Sequence, residues 1–143
     1  MKDDYEILLI GKTGDGKYTL GNFLLNDGKM YFKSFDTSNS GTQKTNEIKV
    51  CNLTIIDTPG LLDAGNKAGE SDVGAKYYDE MVSLIQEKQN LKGVLIIKDS
   101  NNIRFSTDIQ EMIKKIRNTF EDPKIFKNVA FVFIILYEKK TKR

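Results

Sequence analysis

The hydrophobic run YEILLI, Tyr5 to Ile10, breaks at Gly11 into the stretch GKTGDGKYTLGN. No other junction in the chain restricts its fold as much. An uninterrupted apolar run of strand length suits a parallel strand buried on both faces. Glycines at 11, 14 and 16 then let the backbone curl tightly. Leu20, Phe23 and Leu24 recur at helical spacing until Asn26-Asp27-Gly28 stops the helix. Strand, Gly-x-x-x-x-Gly-Lys turn and helix, in that order, make a cradle whose amides converge on a phosphate. The helix starting near Lys17 adds its positive dipole end, and the Lys17 ammonium reaches outward to the same anion. Gly11, Lys12, Thr13, Gly14, Asp15, Gly16, Lys17, Tyr18 and Thr19 are therefore the candidate phosphate-binding residues.

The rest of the chain extends this unit. Residues 29–45 are polar, without a sustained period, and read as a mobile loop. EIKV, with Ile48 and Val50 alternating against Glu47 and Lys49, predicts a half-exposed edge strand. LTII follows after a minimal turn at Cys51-Asn52, so the two should pair antiparallel. After a second polar loop, Ser71 or Asp72 can cap a helix whose apolar stripe is Val73, Tyr77, Met81, Leu84 and Ile85. GVLIIK is a fourth strand. Thr107 and Gln110 form a capping box ahead of a helical face of Ile109, Met112, Ile113, Ile116 and Phe120. NVAFVFIILY predicts a fifth, fully buried strand. This order implies one α/β domain over residues 1–143, a three-layer sandwich around a mostly parallel sheet with one antiparallel edge strand. Ending soon after the fifth strand leaves about one helix too few for both faces, which points to a domain incomplete at its C-terminus.

A second motif, LTIIDTPG, sets Asp57 at the end of an apolar strand, on the edge where ligands sit in such sheets. A carboxylate there can hold a magnesium-bound water, and the Gly60 amide can meet a γ-phosphate. Thr42, in SGTQKT, is the best-placed loop hydroxyl to close over metal and γ-phosphate; Thr37 and Thr45 compete with it. The residue after the phosphate-loop lysine normally donates a hydroxyl to Mg2+, and here it is Tyr18. A Tyr18 hydroxyl lies across a whole ring from that position, and Thr19 is turned about 100° away by one helical step. Tyr18 either packs against the loop or weakens the metal site; weakened metal binding is the favoured expectation.

Composition excludes more than it proves. The chain has no histidine, which removes imidazole general bases and the usual zinc sites. Cys51 is the only cysteine, so an internal disulfide is impossible. A net charge of +2 gives no case for a nucleic-acid partner. The longest apolar run, Val129 to Tyr137, is about half of a membrane-spanning helix, and no leader is expected ahead of the first strand. A cytoplasmic protein is the expectation, with peripheral membrane association left open. DTPG runs into Leu61-Leu62 where a water-orienting glutamine would stand, and Asp63 reads as a loop carboxylate.

With GKTGDGKYTLGN, SGTQKT and DTPGLLD in order, the sequence resembles the avirulence-induced-gene family of septin-like GTPases. That family includes the immunity-associated nucleotide-binding proteins and is related to the chloroplast import receptor GTPases. FSTDIQEMIKKI is similar to the family's third helix. The resemblance implies a P-loop G domain that binds GTP and GDP with Mg2+, has weak GTPase activity, and dimerises across the nucleotide face. It implies that Lys12 to Lys17 hold phosphates, that Thr42 is the switch threonine, and that Asp57 and Gly60 serve the metal and γ-phosphate. Tyr18 departs from the family's magnesium serine. The segment LYEKKTKR lacks the aspartate of the family's guanine clamp, with Glu138 the only carboxylate nearby, so no base-binding or catalytic residue is assigned. Two expectations follow: a GTP-binding switch or dimerising scaffold with slow or absent hydrolysis, or a pseudo-GTPase interaction module that binds no nucleotide.

Overall fold

A computed structural model describes residues 3–32, 45–58, 71–88, 91–100, 107, 110, 113, 114, 117, 118 and 127–135, with only the backbone of 71–77. Its elements are β1 (Tyr5–Ile10), α1 (Lys17–Leu25), β2 (Asn46–Val50), β3 (Leu53–Asp57), α2 (Ser71–Glu87), β4 (Leu91–Asp99) and β5 (Val129–Ile134). The strands form one sheet in the order β2-β3-β1-β4-β5. β1 pairs parallel with β3 and β4, and β4 pairs parallel with β5. Only β2 and β3 run antiparallel, joined at Cys51-Asn52. Cys51 takes a left-handed φ of 55° there, as so short a connection requires.

The apolar run of β1 supplies both faces of the sheet because its side chains alternate. Leu8 and Ile10 point to one side, where they pack with Ile56, Val94 and Ile96 under Met81 and Ile85 of α2. Leu9 points to the other, packing with Ile55 and Ile97 beneath Leu25 of α1 and Phe32. These two clusters make three layers: α1, sheet, α2. Central β1 and β3 end in fully buried residues, whereas β2 reads exposed-exposed-intermediate-exposed-intermediate, the alternation of an edge. Ile113, in the helical residues after β4, packs on the α2 side. Thr107 and Gln110 are both helical, while the residues before and between them lie outside those described.

Two expectations need correction. β5 is not fully buried: Phe131, Phe133 and Ile135 are 39%, 47% and 60% exposed. Among the described residues it stands last in the sheet and has a neighbour on one side only, a position that an apolar strand sequence cannot reveal. Phe23 is exposed as well, and Leu25 turns inward in its place. The two lie two residues, about 200°, apart around α1, so only one can face the sheet.

A small charged clasp ties the end of α2 to two strands of the sheet. The Lys88 ammonium, just past α2, sits 3.3 Å from a Glu6 carboxylate oxygen of β1 and 2.8 Å from one of Glu47 on β2. Hydrogen bonds to Glu47 and Glu6 push the Lys88 amine above its ordinary value, against the opposing effect of burial. Among the described residues, no helix is long and apolar enough to cross a membrane.

Candidate functional site

The turn after β1 is curled. Gly14 and Gly16 hold φ of 86° and 95°, a region closed to most side chains. The Asp15 amide donates to the Lys12 carbonyl at 3.2 Å, and the Lys12 amide donates to the Asp15 carboxylate at 3.2 Å. At its start the loop presses on β4. A Cβ on Gly11 would stand 2.8 Å from the Ile97 carbonyl oxygen, so position 11 has no room for a side chain.

α1 begins directly from this loop with Gly16 as its cap. No side chain caps it, and its first turn carries no acidic residue. A helix start left open in this way keeps its amides for an outside acceptor, and its dipole favours a negative one. Lys17 is buried, and its ammonium donates to the carbonyls of Gly11 and Lys12, both at 2.9 Å. The cation is thus held across the loop rather than loose in solvent.

Asp57 faces this arrangement from the end of β3. It pairs in register with Leu9 of β1 and is only 1% exposed. Neither carboxylate oxygen has a hydrogen-bond partner among the described residues. Burial pushes its carboxyl up to about 6, opposed by the Lys17 charge. A buried, unpartnered carboxylate is costly unless a ligand completes it. Thr58 fixes the direction of the chain here: its hydroxyl donates to the Leu9 carbonyl at 2.9 Å, and its amide reaches the same oxygen at 3.4 Å.

Residues 11–19 and Asp57 therefore come together at the C-terminal edge of the sheet. Thr42, Gly60, Asp63 and Glu138 lie outside the described residues, as does Thr37. Tyr18 packs into the α1-side core, its ring parallel to that of Phe32 with centroids 6.2 Å apart and planes 5° apart. For magnesium, the donor set fits in part. Mg2+ commonly uses one or two carboxylates together with substrate phosphates, and Asp57 supplies one such oxygen pair. A hydroxyl at position 18, close to the backbone, is missing. No group of three or more His, Cys, Asp or Glu side chains among the described residues could hold a metal unaided.

Asn22 escaped a functional reading from sequence. Its amide oxygen accepts from the backbone N–H groups of Tyr31 and Phe32, both at 2.9 Å, and its Nδ2 donates to the Phe32 carbonyl at 2.7 Å. Phe32 is 2% exposed and packs so tightly on Gly21 that a Cβ there would meet its ring at 2.9 Å. The signal lay in the pair Gly21-Asn22 within GKTGDGKYTLGN, a small residue beside an amide, but its partners are ten residues away.

The curled loop, the helix start and the carboxylate across from it, on a mixed α/β sheet, define a P-loop GTPase-type G domain. Within that class the chain belongs to the AIG1 family, whose sequence profile matches residues 5–141. Curated protein sequences give no match. Among solved structures, the chain is similar to one of the chloroplast translocon components atToc33 and psToc159, with a TM-score of 0.69 at 18% identity. For those components, dimerization is important for the GTPase activity. Toc33 from Arabidopsis thaliana with GDP and Mg2+ gives 0.61 at 18% identity, and with Mg2+ and GMPPNP 0.61 at 19%. Each similarity covers 92% of this chain and 50% of the other, so the chain spans about half the length of the structures it resembles.

Proposed function

We propose that this chain is a guanine-nucleotide-binding domain in which the phosphate half of the site is intact and the magnesium half is weakened. The observation that carries the reading is the Asp57 carboxylate, without a hydrogen-bond partner among the described residues and buried opposite a curled loop whose lysine is already positioned. Lys17, the open start of α1 and the loop amides would hold the β- and γ-phosphates. Gly11 to Thr19 form that cradle, with Thr42 and Gly60 serving the γ-phosphate from their loops. Magnesium, when bound with the nucleotide, would neutralise phosphate charge, with Asp57 and Thr42 as its protein side.

Hydrolysis by this chain is slow or absent. It has no histidine, and Leu61-Leu62 follow DTPG where a water-orienting side chain would be needed. Guanine preference, dimerisation and a nucleotide-dependent switch or scaffold role draw their support from membership of the AIG1 family and from the similarity to Toc33. The test is titration with fluorescent GTP, GDP and ATP analogues, with Mg2+ and with EDTA. The expected result is guanine-selective binding that changes less than threefold on removing Mg2+. Absence of binding to every nucleotide overturns this and leaves a nucleotide-independent interaction module.

A further inference from the structure

The far end of the phosphate loop rests on a residue that the sequence places over a hundred positions away. A Cβ built on Gly16 would stand 2.8 Å from Ile134 Cδ1, 3.3 Å from Cγ2 and 3.5 Å from Cβ. The Ile134 side chain therefore lies directly against the Gly16 backbone. Ile134 is the last residue of β5, in register with Asp99 of β4, and β4 separates β5 from β1. The loop that follows β1 consequently leans across β4 to touch the tip of β5.

Gly16 needs such support. It holds a φ of 95° as the cap of α1, with no side-chain hydrogen bond to fix it. Glycine has more conformations to lose than any other residue, so a lone glycine cap is a weak point unless something packs on it. The loop's start is fixed by Gly11 against the Ile97 carbonyl; at its end the three atoms nearest a Cβ on Gly16 all belong to Ile134. Lys17 follows immediately, and its ammonium bonds back across the loop to Gly11 and Lys12. Displacing Gly16 displaces the root of that lysine and the first amides of α1.

We infer that Ile134 is a positioning residue for the phosphate loop, holding Gly16 and Lys17 in their anion-ready geometry before any nucleotide arrives. The inference rests on the nucleotide reading for its consequence, but the buttress itself is a property of the unliganded chain. Val132 provides the control. It lies on the same strand and face and packs on the same core cluster as Ile134, but none of the three atoms nearest a Cβ on Gly16 is its own.

The experiment compares Ile134→Ala, Ile134→Val and Val132→Ala in the full chain. Amide hydrogen exchange without ligand is read at Asp15, Gly16 and Lys17, corrected for each variant's unfolding midpoint. Affinity for a fluorescent GDP analogue is read alongside. Ile134→Ala should speed exchange at those amides at least fivefold and weaken binding about tenfold. Val132→Ala should change each by less than twofold. Ile134→Val removes only Cδ1, the atom of closest approach, and should fall between, remaining folded if the alanine variant does not. Equal effects at 132 and 134, or unchanged exchange in both Ile134 variants, overturn the buttress. Accelerated exchange in a protein that binds no nucleotide keeps the buttress and removes the nucleotide reading instead.

Discussion

Replacing Asp57 with asparagine should stabilise the ligand-free protein at neutral pH, although it removes a residue of the proposed site. Burial raises the Asp57 carboxyl from 3.8 to about 6, a gap worth about 3 kcal/mol at 1.36 kcal/mol per unit. The folded state thus prefers the neutral acid. That preference favours folding fully below the unfolded value near 3.8, and it is lost as pH rises through the folded value of about 6. Above it, the folded protein carries an ionised carboxylate with no hydrogen-bond partner among the described residues. Asparagine is neutral throughout, but its amide brings donors that are costly to leave unmade, offsetting roughly 1 kcal/mol or more of the gain. The expected net effect of Asp57→Asn is about 1–2 kcal/mol of added stability at pH 7.5, shrinking to zero or below near pH 4. Urea unfolding of both proteins from pH 4 to 8, with EDTA and no nucleotide, measures it. A variant less stable than wild type at pH 7.5, or a difference that does not change with pH, would refute the reasoning. Either outcome would mean that the carboxylate has a partner in solution.

Tyr18→Ser should restore a hydroxyl beside the loop and increase the dependence of guanine-nucleotide affinity on Mg2+ by about tenfold, an order that one charge-assisted ligand supplies. Unchanged affinity in a Mg2+ titration would mean that Tyr18 does not limit the metal. Asn22→Ala removes three hydrogen bonds to Tyr31 and Phe32 and should cost about 2–3 kcal/mol at roughly 1 kcal/mol each. Thermal or urea unfolding reads that loss, and a change below about 0.5 kcal/mol would show the clamp to be dispensable.

The elements around the site were legible because local pattern and global position agree there. YEILLI can be buried on both faces only in the middle of a sheet, and β1 is the central strand. EIKV alternates because one face of β2 meets solvent, and it pairs with β3 as an edge should. β5 defeated the same logic. Its run of apolar residues looks like β1, but burial depends on which strand lies beyond it, and no residue in the run records that. The site divides likewise. Glycines, lysine and aspartate announce themselves because phosphate chemistry restricts residue type. Asn22, Thr58 and Ile134 act through contacts with segments distant in sequence, made by residue types common everywhere. Nothing local distinguishes Ile134 from Ile135, yet the first touches the phosphate loop and the second is 60% exposed.

The clasp at Lys88 gives α2 a heel. The Glu6 side of the clasp is largely covered and the Glu47 side is open to solvent, where an ion pair adds little stability; the three side chains meet where the helix end is tied to β1 and β2. The opposite end of the helix is Ser71. A helix of 17 residues is about 25 Å long at 1.5 Å per residue. Met81 and Ile85 seat the half nearer Lys88 in the core, so the clasp and that apolar seat together make the Lys88 end of α2 an anchored end of the rod.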